Sequence, residues 1–174
     1  MGKSPRNASP SLRAQAIRLL ARREHSRAEL AVKLARKQAE KMADCASAMT
    51  GGHEGPGIDE VLDQLEQLGL LSDDRAAQSY VRSHARRFGR ARLLHDLRSR
   101  GIPEAMIESS LAQVGLGDER QRARAVWEAK FDAAPVDARE WAKQARFLQG
   151  RGFSVEVIRS VLKDVAKGRE EYDE

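Results

Sequence analysis

Only one cysteine, Cys45, occurs in the 174 residues, so no disulfide can form within the chain, and a lone thiol fits a reducing compartment. Aromatic residues make up just 5% of the chain, and with β-branched strand formers also scarce, this argues against a sheet-rich core. Five prolines leave long stretches without a helix breaker. No run approaches the roughly 20 apolar residues that a membrane span needs. The first thirty residues carry charge throughout and contain no apolar core of signal-peptide length. A soluble, cytoplasmic protein with no membrane contact is expected.

Catalytic signatures are missing too. There is no G-x-x-x-x-G-K-[ST] phosphate loop, and Gly51-Gly52 has neither the preceding strand nor the following lysine of one. His25, His53, His84 and His95 never stand four apart around a glutamate, as zinc hydrolases require. Cys45 and His53 could be imagined as two metal ligands, but a loop histidine and a loosely packed thiol account for them. Acids such as Glu66, Asp73 and Asp74 read as a solvated helix face. We expect no catalytic residue, metal or cofactor, and no enzyme.

What the chain does have is charge and helical periodicity. A third of its residues are charged and the net charge is +5, unevenly spread. Residues 1–37 hold ten Lys/Arg against Glu24 and Glu29. Residues 54–74 hold seven acids and no base, and residues 82–100 hold seven arginines against Asp96 alone. Ile58, Val61, Leu62, Leu65 and Leu68 form one apolar stripe of helical period. Leu12, Ala16, Leu19 and Leu20 form another, as do Trp141, Ala145 and Leu148. No alternation of period two lasts long enough to suggest a strand. Ser26 and Glu29 have capping-box spacing, and Gly69, Gly101 and Gly152 each follow an apolar period as helix stops do. Pro103 suits the first turn of a following helix.

Two of these stops are the same stop. The chain reads L-R-S-R-G-I-P-E-A-M-I-E-S-S-L from Leu97 and L-Q-G-R-G-F-S-V-E-V-I-R-S-V-L from Leu148. Leu97/Leu148, Arg100/Arg151, Gly101/Gly152, Ile102/Phe153, Ile107/Ile158 and Leu111/Leu162 coincide in register. A looser third copy lies upstream, with an insert at about 38–57 that predicts a helix prolonged to about Ala48 and then a loop. The expectation is an all-α protein of about nine helices in three tandem three-helix, helix-turn-helix-like repeats, forming an elongated, curved stack. The units are about 11–70, 73–115 and 118–167, followed by an acidic tail, 168–174, whose last residues (Glu170–Glu174) are expected to be disordered.

The basic stretch is where a partner is expected. Leu93, Leu94 and Leu97 take the inner face of their helix and push the arginines outward, where they repel one another unless something acidic compensates. The compensation is either a polyanion or acidic protein surface outside the molecule, or the acidic 54–74 stretch within it. Only Phe88 interrupts the run, so a single-strand stacking platform is not indicated. Three-helix units also suggest a helix-turn-helix DNA-binding transcriptional regulator, but Glu104, Glu108 and Glu156 stand where a recognition helix would meet phosphates. A structural adaptor for some other protein is a further class.

Three stretches resemble the bacterial RecX regulatory proteins: A-I-R-L-L-A-R-R-E-H-S-R-A-E-L-A-V-K-L (16–34), L-G-L-L-S-D-D-R-A-A-Q-S-Y-V-R (68–82) and A-K-Q-A-R-F-L-Q-G-R-G-F-S-V-E-V-I (142–158). With the turn at 88–102, the resemblance covers most of 12–166. The chain departs from that family in its insert, where a short Gly-aromatic turn is usual, and in Ala76-Ala77, where a phenylalanine follows the Asp-Arg pair. The second departure is expected to thin the packing at the start of the second unit. A monomer is expected, and the resemblance implies a regulator that binds RecA and the RecA–DNA filament and inhibits its ATPase, strand exchange and growth. It would thereby restrain recombination, DNA repair and the SOS response, with at most weak non-specific DNA contact. The expected docking residues are Arg82, Arg86, Arg87, Arg90, Arg92, Arg98 and Arg100, with Arg146 and Arg151 as lesser members. Charge reversal at Arg86 and Arg90 is expected to weaken inhibition without loss of helix.

Overall fold

The computed structural model describes residues 10–44 and 56–170. Cys45, Ala48, His53, most of the 38–57 insert and residues 171–174 lie outside them, and with them the expectations placed there. Among the described residues there are nine helices and no strand: α1 (Leu12–Leu20), α2 (Arg27–Asp44), α3 (Ile58–Gln67), α4 (Asp73–His84), α5 (Arg90–Ser99), α6 (Glu104–Val114), α7 (Glu119–Glu128), α8 (Ala138–Gly150) and α9 (Val155–Glu170). They fall into two compact units, which divide between Ala76 and Ala77.

In the first unit two helix starts are capped by serine. The Ser11 hydroxyl accepts from Ala14 N at 3.2 Å, and the Ser26 hydroxyl accepts from Glu29 N at 3.1 Å, each satisfying an amide that the helix leaves unpaired. The three helices close on Ala16, Leu30, Leu34, Val61, Leu62 and Leu65, all fully buried. Each such leucine contributes roughly 1.5–3 kcal/mol by leaving water. The stripe expected on α3 is shorter than its period suggested, because Leu68 is 57% exposed. The chain turns there, with Gly69 at φ +68° and Leu70 N donating to Leu65 O at 2.8 Å.

Four acids of the 54–74 stretch share one partner within this unit. Arg27 lies 2.7 Å from Asp63, 2.8 Å from Glu66 and 3.8 Å from Asp59, while its backbone N donates to Asp73 Oδ1 at 2.7 Å. One arginine at the start of α2 therefore organises both α3 and the entry to α4. Ala76 and Ala77 are both buried.

The second unit carries α5–α9 and most of α4. Ala77, Val81, Leu93, Leu97 and Ile107 anchor one cluster, and Ala123, Leu148, Phe153, Val161 and Leu162 anchor the next. The two stops read from the sequence have the same geometry. Gly101 and Gly152 lie at φ +72° and +84°, and the next residue donates back to the helix, Ile102 N to Leu97 O and Phe153 N to Leu148 O, at 3.3 Å in both. Arg100 and Arg151 both stand at the C-caps. Pro103 sits one place earlier than expected, as the N-cap of α6. The position of Leu93 is taken in the third set of helices by Gln144, which is buried and accepts from Trp127 Nε1 at 2.7 Å. Trp141 departs from its expected inner stripe: it is 39% exposed, whereas Leu148 is fully buried.

Candidate interaction surface

The turn between α4 and α5 is held from several sides. Gly89 N donates to Arg151 O at 2.9 Å and Ala91 N to Gly152 O at 3.2 Å, so the second and third sets of helices meet backbone to backbone. Arg90 N donates to Glu119 Oε1 at 2.8 Å. From α7 the half-buried Arg122 guanidinium donates to Ala85 O at 2.7 Å and Phe88 O at 2.9 Å, occupying carbonyls that the end of α4 leaves open. Burial pushes the Arg122 guanidinium below its ordinary pKa. The result is a fixed platform on which Arg86 and Arg87 stand exposed.

Aromatic rings organise the arginines more than the run 82–100 suggests. Tyr80, His84 and Phe88, four apart on α4 and its end, stack with centroids 4.0 and 5.9 Å apart. Arg100 lies over Tyr80 at 4.1 Å, Arg92 and Arg151 lie over Phe88 at 5.9 and 5.7 Å, and Arg151 also lies over Phe147 at 5.1 Å. Such contacts are worth about 0.5–1 kcal/mol each when exposed and fix where the guanidinium lies. Tyr80 also donates to Asp96 Oδ2 at 2.5 Å. Burial, with Asp96 beside it, pushes the Tyr80 phenol up to about 12. Burial opposes the charge on Asp96, but the Tyr80 hydroxyl and Arg92 together hold it below its ordinary range.

These contacts divide the nine expected docking residues. Arg90 pairs with Glu108 at 2.6 Å, Arg92 with Asp96 at 3.0 Å, and Arg98 with Glu104 through two bonds of 2.8 and 2.5 Å. The acids at the start of α6 are thus engaged by α5. Arg100 is half-buried against Tyr80, and Arg82 donates to Gln78 Oε1 at 2.6 Å. Arg86, Arg87 and Arg151 come together in a shallow groove of about 290 Å³, with Ala125, Val126 and Phe147 along it. A fourth cation, Lys130 at the end of α7, completes the lining, which contains no acid. Arg146 is exposed on α8 but does not line the groove. Lys130 and Arg122 were not among the expected residues, since nothing in the sequence places α7 beside residues 85–88. Among the described residues no three His, Cys, Asp or Glu gather to hold a metal, and no helix is long and apolar enough to cross a membrane.

Residues 13–42, 72–111 and 118–162 match, in order, the first, second and third three-helix domains of RecX. The chain is 42% identical to the Regulatory protein RecX of Leptothrix cholodnii, over 88% of each chain. To the Regulatory protein RecX of Herminiimonas arsenicoxydans it is also 42% identical, over 88% of this chain and 91% of that one. The crystal structure of RecX from Lactobacillus salivarius superposes with a TM-score of 0.61 at 20% identity, covering 89% of this chain and 94% of that one, a likeness of fold.

Proposed function

Because this chain belongs to the RecX family of regulatory proteins, we propose that it acts by binding the RecA recombinase and its filament on DNA. Bound there, it inhibits ATP hydrolysis, strand exchange and filament growth, and so restrains recombination, DNA repair and the SOS response in the cytoplasm. It acts as a monomer that occupies a partner surface and performs no chemistry of its own. The observation that carries this reading is the groove in which Arg86, Arg87, Lys130 and Arg151 gather without an acid among the lining residues. Four cations held this close repel one another, and an acidic partner surface relieves that repulsion. The same charges give DNA phosphates a weak, salt-sensitive contact of low sequence preference.

The test is the rate of ATP hydrolysis by RecA on single-stranded DNA as this protein is added. A concentration-dependent fall in rate is expected. An unchanged rate over a wide concentration range discards the proposal, and sequence-selective, salt-tolerant binding to duplex DNA alone replaces it with a transcriptional regulator.

A further inference from the structure

At the start of α8 the molecule has a second groove, of about 640 Å³, that shares no residue with the arginine-lined one. Its apolar side is formed by Val136, Trp141, Leu162 and Ala166. Val136 is 62% exposed and Trp141 39% exposed, whereas the other tryptophan, Trp127, is buried with its indole N–H bonded to Gln144. Large apolar groups left in water beside a concavity cost free energy that an occupant would recover. Along one edge run Arg159 and Lys163 of α9, four residues apart and therefore on one face, with Lys167 the next in that row. Arg159 and Lys163 form no ion pair among the described side chains, and Glu156, one turn earlier on α9, is the acid that attracts Arg159. Like charges at this spacing repel by a few tenths of a kcal/mol, a repulsion that an acidic occupant along the row relieves.

The geometry points to a docking site for an acidic peptide segment of a partner protein, one that places an apolar side chain between Val136 and Trp141 and its carboxylates along Arg159, Lys163 and Lys167. Trp141 supplies the anchoring pocket, with the wide, stiff surface that dominates such contacts. A nucleic-acid strand fits the groove less well. Its bases carry polar edges, and the apolar side offers them no donor or acceptor. Its charge repeats at every nucleotide, yet the far lip carries Asp137, whose carboxylate is fixed there by accepting from Glu140 N at 2.7 Å. A peptide can be apolar at that lip and acidic at the other. The site rests on none of the arginines of the α4–α5 turn.

The experiment uses the full chain and three fluorescein-labelled probes: a ten-residue peptide of alternating glutamate and leucine, an all-glutamate decamer and a ten-nucleotide oligothymidine. Binding is read by anisotropy and by the emission of Trp141. The mixed peptide is expected to bind and to shift tryptophan emission to the blue, with no shift in Trp141→Phe. The double variant Arg159→Glu/Lys163→Glu is expected to weaken binding at least about tenfold, as is Val136→Asp, with circular dichroism checking that α8 stays folded in each. Four outcomes overturn the proposal: no binding of the mixed peptide, equal binding of the all-glutamate decamer, tighter binding of the oligothymidine, or a concentration-dependent self-association of the protein that the double variant abolishes.

Discussion

Gly89 lies so close to Gly152 that a methyl group on Gly89 would stand 2.2 Å from the Gly152 carbonyl oxygen, and one on Gly152 would stand 2.4 Å from the Arg92 backbone nitrogen. Both contacts are with main chain at a joint held by Gly89 N on Arg151 O and Ala91 N on Gly152 O, so neither can yield cheaply. Gly89→Ala is expected to cost about 1–3 kcal/mol as overpacking. Gly152→Ala adds roughly 1–2 kcal/mol for a left-handed backbone at φ +84°. Gly150→Ala, two residues away with nothing within 4 Å of the new methyl, is the control and should stabilise by about 0.4–1 kcal/mol. Urea denaturation followed by helical circular dichroism separates the three; equal midpoints would mean the joint is not closely packed.

Tyr80→Phe should remove the hydrogen bond to Asp96 while leaving the ring stack on His84. Because the acceptor is a carboxylate, the expected loss is about 1.5–3 kcal/mol. A second readout is the ultraviolet absorbance of phenolate in an alkaline titration. The wild type should show a step near 12 that the variant lacks.

His25 gives the first unit a dependence on pH. It is 2% exposed, and burial, with Arg23 and Lys33 nearby, lowers its pKa below 6.5 despite Glu29 at 3.3 Å. The unfolded chain therefore takes up the proton first. The stability held above pH 6.5 is lost as the pH falls toward the folded pKa, with a slope of at most about 1.4 kcal/mol per pH unit. Burial opposes the charge on Glu29, but Arg23 holds its pKa below 4.5, so its contribution is present above that pH and is lost in more acid solution. Denaturation midpoints measured from about pH 7 to 5.5 should fall for the wild type and stay nearly level for His25→Leu. A parallel fall in both would remove His25 as the cause.

The repeat was legible because it rests on local chemistry. A glycine that must be left-handed and an apolar residue that staples the turn recur at Gly101-Ile102 and Gly152-Phe153 in one register. The arginine run was equally visible, but its division was not. Arg98 finds Glu104 across a turn and Arg90 finds Glu108 on another helix, and only the fold sets these partners. Nor does periodicity reveal that Arg27 takes up the acids of α3 or that Lys130 joins the groove from α7. Trp141 fits an apolar period, yet at the start of α8 it lies 39% exposed beside a groove while Leu148 takes the core. Gln144 reads as a surface residue until Trp127 is placed opposite it.

That division of the arginines predicts unequal roles in docking. Reversing Arg86 and Arg87 changes the groove from four cations to two cations and two acids, with no ion pair among the described residues to lose. The double variant is expected to weaken inhibition of RecA ATP hydrolysis by about tenfold or more and to flatten its salt dependence. Lys130→Glu should act in the same direction. Arg98→Ala removes an exposed pair with Glu104 and should leave inhibition within about twofold of the wild type. Arg90→Glu is less informative, because it sets Glu108 against a new acid and disturbs α5 as well as the surface charge. Concentration series at two ionic strengths, with circular dichroism on each variant, measure the contrast. If Arg98→Ala impairs inhibition as much as the Arg86/Arg87 reversal, the proposed docking charge is spread along the whole stretch; if neither matters, the groove is not the docking face.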